Sequence, residues 1–394
     1  MIKSLKSFDL KDKRVLLRVD FNVPISNNNV IDDFRIVSSL PTIKYCLKSG
    51  AKIIIMSHLG RPGGKIDPEM SLISVGELLA DRLEMPIKFS DDCVSEDSHD
   101  VTLGLRSGEI HLLENLRFHS EEESNEKEFS SKLAKHGEIY INDAFGTAHR
   151  SHASNNGVTK YFLNKGMGLL FEKELEFLTE KLAKPNKPLT IILGGAKIDT
   201  KLDLINHFLT SADNILIGGG MAFTFLKARG VEIGNSLVDS NMINEAKNIL
   251  NRARGKINLL FPTDVVCAKT ADNTNNIKVY NINDIPTNIR GLDIGPNTIK
   301  QFSEIISKSG TIFWNGPMGV FEIEGFHHGT EGIANIISDL IDKNVTTIVG
   351  GGDSVAAINQ FSSFDKFSHV SSGGGASLEL LTGNPLPSIY ALEL

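Results

Sequence analysis

Residues 53–65 read IIIMSHLGRPGGK: three isoleucines and a methionine, then Ser57 and His58, then a run of Gly60, Arg61, Pro62, Gly63, Gly64 and Lys65. The apolar run has no helical period and is short and β-branched, which reads as a strand buried on both faces of a parallel sheet. The residues after it cannot extend it, because proline removes a ladder donor and glycine favours a turn. The carboxyl end of this strand is therefore a flexible turn carrying an imidazole and a guanidinium. In open α/β sheets, ligands bind at those carboxyl ends.

The same unit repeats in both directions from this stretch. Short apolar runs closed by glycine or polar residues alternate with longer amphipathic segments, the pattern of βα units feeding a parallel sheet. In the first part the runs are RVLLRVDF (14–21), AKIIIMS (51–57), IHLLEN (110–115) and EIYINDAF (138–145). In the later part they are LTIILGG (189–195), NILIGGG (214–220), INLLFP (257–262), TIFWNGP (311–317), TTIVGGG (346–352) and FSHVSSGGG (367–375). Between the two parts, GLLFEKELEFLTEKLAKPNKP (168–188) carries apolar residues at helical spacing up to position 182 and stops at Pro185 and Pro188. The expected fold class is α/β: two doubly wound, Rossmann-like, parallel-sheet domains joined by a helix. The expected division is 1–167, a joining helix at 168–184, 185–382, and a tail at 383–394 that packs back on the first domain.

The two parts differ in what stands at their strand ends. Eight of the chain's twelve arginines fall within the first 150 residues. Of these, Arg35, Arg61, Arg117 and Arg150 lie at or near strand-end turns, together with Asp20, Asn22 and His58. Arginine presents a planar fork that suits phosphate or carboxylate, so a small polyanion would dock here. Scattered surface charge accounts for any single arginine, and Asp20 and Asn22 alone suit a structural hydrogen-bonding pair. Four cations at equivalent ends point to a ligand. The later part offers GGAK (194–197), GGGM (218–221), GGGDS (350–354) and GGGAS (373–377), each closing an apolar run and opening a helix. Amides free of side chains at a helix start make a phosphate cradle, and a nucleotide is the natural guest. None matches GxGxxG with its distal acid, or GxxxxGK[ST]; GRPGGKI (60–66) misses the latter by one residue and lacks the hydroxyl.

Composition limits the alternatives. The chain has 394 residues, 41% hydrophobic and 23% charged, which fits a folded protein of two domains rather than a disordered one. A net charge of −7 argues against a general nucleic-acid surface. Cys46, Cys93 and Cys267 are few, scattered and odd in number with no CxxC spacing, so neither a disulfide framework nor a zinc site is suggested and a reducing cytoplasm fits. The start lacks the apolar core of a signal peptide, and no run of about 18 apolar residues predicts a membrane span. His149 and His152 in AHRSH lack a nearby cysteine or carboxylate pair and read as packing residues rather than metal ligands, and FHHG (326–329) reads the same way. SEEESNEKE (120–128) reads as a solvated loop and helix start.

Eight motifs, in order, closely resemble the phosphoglycerate kinase family over essentially the whole length. They are RVDFNVP (18–24), SHLGRP (57–62), LLENLRF (112–118), NDAFGTAHRSHAS (142–154), GGAKIDTK (194–201), WNGPMGVFE (314–322), GGGDS (350–354) and SSGGGASLELLTG (371–383). Ser151, where alanine is common, is the one departure noted. The resemblance implies magnesium-dependent, reversible phosphoryl transfer from 1,3-bisphosphoglycerate to ADP, giving 3-phosphoglycerate and ATP. It also implies a monomer whose partners are those small molecules. By position it implies that Asp20, Phe21, Asn22, Arg35, His58, Leu59, Gly60, Arg61, Arg117 and Arg150 bind the triose. Lys197, Lys201, Asn315, Glu322, Gly350, Gly351, Gly352, Asp353 and Ser354 would bind the nucleotide, with Asp353 on Mg2+. Arg35, Lys197, Lys201, Gly374 and Gly375 would act on the moving phosphoryl group. Two other classes are also weighed: a two-lobed anion-binding protein, which has no need of Lys197 and Lys201, and a nicotinamide-dependent dehydrogenase, which needs the missing GxGxxG.

Overall fold

The computed structural model describes residues 2–272 and 274–393. The chain divides into two compact units, one comprising the chain up to Glu176 together with the segment from Asn384 onward, the other Phe177–Gly383.

In the first unit six parallel strands lie in the order Lys88–Ser90, Ile110–Leu113, Lys52–Met56, Arg14–Arg18, Ile139–Asn142, Lys165–Met167. The isoleucine run at 53–55 lies in the third of these, in register with Arg14–Arg18 from Arg14↔Lys52 to Arg18↔Met56. Its Ile53, Ile54, Ile55 and Met56 are fully buried, split by alternation between the two faces of the sheet. Helices are needed on both faces, and each buried aliphatic side chain contributes about 1.5–3 kcal/mol. The chain leaves Arg14–Arg18 towards one edge and Ile139–Asn142 towards the other, so the switch point of the winding lies between them. The final helix, Pro387–Glu393, belongs to this unit: Ser388 donates its amide to the Ala148 carbonyl (3.1 Å), and Leu392 joins the core.

A buried polar chain runs beside one edge of this sheet. His111 Nε2 meets Ser90 Oγ at 2.7 Å, and its Nδ1 meets Thr102 Oγ1 at 2.9 Å. Thr102 Oγ1 also meets His136 Nδ1 at 2.7 Å, and His136 Nε2 ends on the Cys93 carbonyl at 3.1 Å. Burial pushes His111 down to about 4 and His136 down to about 3, so both rings are neutral at ordinary pH.

The second unit holds six parallel strands in the order Asn258–Leu260, Asn214–Ile217, Leu189–Leu193, Thr311–Asn315, Thr346–Gly350, His369–Val370. Its switch point lies between Leu189–Leu193 and Thr311–Asn315. The two turns there interlock: Gly194 donates its amide to the Asn315 carbonyl at 3.0 Å and Gly195 to that of Pro317 at 2.8 Å. A Cβ on Gly194 would sit 2.0 Å from the Pro317 oxygen, so glycine is required by close approach.

All ten expected strands form, with trimmed ends. Four elements were not foreseen: the edge strands Lys88–Ser90 and Lys165–Met167, the hairpin of Ile25–Ser26 with Asn29–Val30, and an antiparallel sheet of Asp264–Ala268, Lys278–Asn281 and Arg290–Ile294. The helix expected over 168–184 is α-helical only from Leu169 to Leu175, then widens into a π-helical stretch at Glu176–Lys181.

Candidate active site

In the first unit, residues from the turns after the central strands gather around His58. Asp20 sits two residues beyond Arg18, and its Oδ2 pairs with Arg35 Nη1 at 3.0 Å. The same Arg35 nitrogen donates to the Asn22 carbonyl at 3.1 Å, while Asn22 Oδ1 accepts the Gly60 amide at 2.9 Å. Phe21 and Leu59 point into the core; the Phe21 amide donates to Ser57 Oγ at 2.9 Å and the Leu59 amide to Asn115 Oδ1 at 3.1 Å. These bonds tie the turn after one strand to the turn after the next.

His58 is buried, and Arg18 Nη2 lies 3.1 Å from its Nδ1. A guanidinium only donates, so Nδ1 accepts and the ring proton stands on Nε2. Burial, then the charges of Arg18, Arg117, Arg35 and Arg150 in that order, hold His58 well below its ordinary value. His58 is thus a neutral donor inside a ring of cations. Arg117 is buried as well. Its Nη1 donates to the Gly60 carbonyl at 2.6 Å and its Nε lies 3.0 Å from Glu123 Oε1, but Nε lacks hydrogen-bond alignment and Nη2 has no partner. Arg150 is half-buried, with Nε 3.3 Å from His149 Nε2, and Arg61 is exposed.

Arg18 was not among the residues expected at the site. Its Nε donates to Ser154 Oγ at 2.8 Å, a second nitrogen donates to the Val19 carbonyl, and Ser154 Oγ in turn donates to Glu122 Oε1 at 2.6 Å. A lone charge inside the apolar run VLLRV was the available signal. Glu122, within the run expected to be a solvated loop, is fully buried; burial raises its carboxyl and the Arg18 charge opposes this.

In the second unit a cavity of about 650 Å3 opens at the switch point, bounded by Gly195, Ala196, Gly219 and Gly220 on one side and by Glu322 and Asp353 at its rim. Such a volume suits a small-molecule ligand. Phe223, Leu237, Val238, Leu292, Met318 and Val320 supply an apolar wall, which the residues at the strand ends did not foretell. Beside it, Lys201 Nζ donates to Asn315 Oδ1, and Asn315 Nδ2 donates to the Gly350 carbonyl at 2.7 Å. Burial lowers Lys201, and the Asp353 charge opposes that shift.

Gly351, at φ 96°, turns the chain into the helix Gly352–Phe361, and Gly352 and Gly374 face open space. Gly374 caps the short helix Gly375–Leu381. Lys197 is exposed. Asp353 is exposed in the first turn and makes no hydrogen bond or ion pair among the described residues. Ser354 is different: it is fully buried, and its hydroxyl accepts the Gly316 amide at 2.7 Å. Behind the cavity Asp293 accepts the amides of Gly329 (2.7 Å) and Ile294 (2.8 Å), and burial pushes it up to about 8.

A cavity of nucleotide size with a lysine and a carboxylate, on a chain that elsewhere clusters arginines, is the equipment of a phosphotransferase acting on a small anion. The family model for phosphoglycerate kinase matches residues 5–384. The chain is 47% identical over 394 residues to "Phosphoglycerate kinase 3, cytosolic" of Arabidopsis thaliana, covering all of this chain and 98% of that protein. It is 48% identical to the phosphoglycerate kinase of Gloeothece citriformis, with the same coverage. Among solved structures, phosphoglycerate kinase from Coxiella burnetii matches with TM-score 0.87 at 38% identity, covering 100% of this chain and 99% of that one. That from Pyrococcus horikoshii matches with TM-score 0.86 at 31% identity, covering 100% and 98%. The chain belongs to the phosphoglycerate kinase family. It is a glycolytic phosphotransferase that moves a phosphoryl group between the acyl phosphate of 1,3-bisphosphoglycerate and ADP. No helix among the described residues is long and apolar enough to cross a membrane.

Proposed function

We propose that the first unit binds the triose and the second the nucleotide, with catalysis supplied by positioning and charge rather than by an acid or base. The observation that carries this reading is the convergence of Arg18, Arg35, Arg117 and Arg150 on a buried, neutral His58. In the reverse direction the nucleophile is the carboxylate of 3-phosphoglycerate, already ionised near neutrality because such groups titrate around pH 3–4. No proton need be removed from it. Its phosphate and carboxylate take the guanidinium forks of Arg61, Arg117 and Arg150 and the Nε2–H of His58. Arg117 Nη2, a buried donor with no partner, is costly as it stands and would be relieved by an anionic oxygen.

In the second unit the base lies against the apolar wall of the cavity, and the phosphates reach the amides of Gly351 and Gly352. Glu322 at the rim takes the ribose hydroxyls. Lys197, Lys201, Arg35 and the amides at Gly374 and Gly375 neutralise charge on the phosphoryl group in transit. Because each ligand has its own unit, transfer requires a closure step that brings donor and acceptor into near-attack contact. Small-angle scattering should show compaction with both substrates and much less with either alone.

Magnesium enters as the nucleotide complex. Asp353 fits it, as an exposed carboxylate with no competing partner, and oxygen is the ligand this hard cation prefers. The Asp353→Asn variant should lose affinity for magnesium-complexed nucleotide more than for free nucleotide, and an unchanged magnesium dependence of turnover would remove Asp353 from the metal. The same reading makes the enzyme a monomer and places it in the cytoplasm, the latter supported by three free, buried cysteines. A coupled assay with Mg-ATP and 3-phosphoglycerate, alongside separate binding titrations of each substrate, tests the whole assignment; absent turnover would sink it.

A further inference from the structure

Just beyond the carboxyl end of the edge strand Lys88–Ser90, Asp92 and Cys93 meet His119, bringing a carboxylate oxygen, a thiol sulfur and an imidazole nitrogen within 4.8 Å of one another. From this geometry we propose a binding site for a single borderline-soft divalent cation of the zinc class, held by Asp92 Oδ2, Cys93 Sγ and His119 Nε2 with a water in the fourth position. The proposal does not depend on where the substrates bind.

Three features make this more than a chance grouping. The ligands are of the three kinds that tetrahedral zinc takes from proteins, and a thiolate excludes magnesium as the preferred ion. Asp92 is already oriented: its Oδ1 accepts the amides of Val94 (2.6 Å) and Ser95 (2.8 Å), which leaves Oδ2 turned towards His119 Nε2 at 3.0 Å. Fixing a ligating carboxylate by outer hydrogen bonds is how metal sites are tuned. There is also a way in. The side chains of Asp92 and His119 are 35% and 27% exposed, whereas Cys93 lies beneath them at 1%. A cation would enter between carboxylate and imidazole, take the place of the proton they now share, and reach the sulfur behind. Tetrahedral bonds of about 2.0 Å to nitrogen and oxygen and 2.3 Å to sulfur need ligand atoms roughly 3.3–3.6 Å apart, so only a small closure is required.

The other comparable group, His327, His328 and Glu331 in the second unit, fails on the chemistry of one ring. His327 Nδ1 accepts the Gly325 amide at 3.2 Å, so in the neutral ring the proton sits on Nε2, the nitrogen that faces Glu331. A metal there would have to evict that backbone bond as well. His119 has no such constraint on Nδ1.

Binding must release the thiol proton, since burial and the charges of Asp92, Glu122 and Glu114 hold Cys93 well above its ordinary value. His119, raised by its hydrogen bond to Asp92, gives up its Nε2 proton as well wherever it is charged, so affinity for zinc should tighten by at least about tenfold per pH unit through the neutral range. The test uses the full chain stripped with a chelator. Zinc is titrated against a chromophoric competitor, and cadmium is added to reveal the ultraviolet cadmium–thiolate band. The expected results are one equivalent of zinc, a thiolate band that disappears in Cys93→Ser, and unaltered circular dichroism in His119→Gln. Zinc affinity in His119→Gln and Asp92→Asn should fall by more than the roughly 10–100-fold that loss of an outer-shell partner costs. No band in the native protein, a band that survives Cys93→Ser and so arises at Cys46 or Cys267, or equal zinc affinity in native protein and His119→Gln would each overturn the site.

Discussion

The carboxyl ends of the two sheets are furnished with opposite chemistry. In the first unit, charged side chains are held by a web of hydrogen bonds that reaches from Glu122 through Ser154 and Arg18 to His58. In the second, the corresponding turns are mostly bare backbone, locked to one another by amide-to-carbonyl bonds at Gly194 and Gly195 and opening on a cavity. A side-chain site is costly to keep empty, because buried cations repel, and it recognises a small anion by its shape and charge. A backbone site has little to hold in place and recognises phosphates by amide direction. The contrast teaches that one type of sheet can serve two ligands when only the turn after each strand is changed.

Four measurements break or sharpen this contrast. Lys201 is the exception in the glycine-rich unit, a half-buried cation leaning on Asn315. Lys201→Ala should lower turnover by about 100–1,000-fold, the scale of losing one charge-stabilising donor, with either binary complex weakened far less. If the loss is all in nucleotide affinity, Lys201 only binds.

The second measurement is of stability against pH. Histidines 58, 111, 136 and 152 of the first unit all titrate below the ordinary 6.5, His152 down to about 4. Their contribution is complete above pH 6.5 and is lost as pH falls towards 4, opposed in part by Asp143, which burial pushes up to about 7. Asp293 in the second unit has the other sign: raised to about 8, it contributes below about pH 4 and loses that contribution as pH rises to 8. Hydrogen exchange should show core protection in the first unit falling as pH drops from about 6 to 4.5, the raised carboxyl of Glu122 and the raised His119 opposing part of the loss. The second unit, where only His207 among the histidines is lowered, should show a smaller fall or none. Equal slopes would break the comparison.

Third, Arg61→Ala should weaken 3-phosphoglycerate by roughly ten- to thirtyfold, the low end for a charge-assisted hydrogen bond at an exposed residue, and leave Mg-ATP nearly unchanged. Comparable losses for both ligands would end the division of labour. The smallest effect is the most pointed. Gly352 faces open space, so Gly352→Ala should leave the fold intact while its methyl group intrudes where phosphates are to sit. Nucleotide affinity should drop by about three- to tenfold, and unchanged affinity would mean the phosphates lie elsewhere.

Much of this was readable in the residue order, for reasons that are physical. Strands such as Lys52–Met56 and Leu189–Leu193 are buried on both faces, so they write themselves as unbroken apolar runs. Lys88–Ser90 and Lys165–Met167 are short edge strands reading KFS and KGM, with nothing apolar enough to announce them. The widening of the helix after Leu175 is invisible to a 3.6-residue period, since the apolar spacing continues across it. At the candidate site, residue type and position were legible for Arg35, His58 and Lys201. Partnership was not: that Arg18 lies beneath His58 depends on two strands being neighbours in register, and that Ser354 spends its hydroxyl on Gly316 depends on the packing of a helix against a turn.

In the Ser90–His111–Thr102–His136–Cys93 chain, each of the four links could in principle hold its hydrogen at either end, as in ice. The Cys93 carbonyl abolishes that freedom, because it cannot donate. His136 must then carry its hydrogen on Nε2 and accept from Thr102 at Nδ1. Thr102, having given away its only hydrogen, must accept from His111 Nδ1, and His111 Nε2 must accept from Ser90. One carbonyl oxygen thereby dictates the orientation of every hydrogen along the line, a proton-ordered row with no residual disorder, in which both imidazoles have a single permitted tautomer. A valine at position 102 would not shorten this row but cut it into two halves, each with a bare or stranded ring nitrogen, whereas a serine there would leave the order intact.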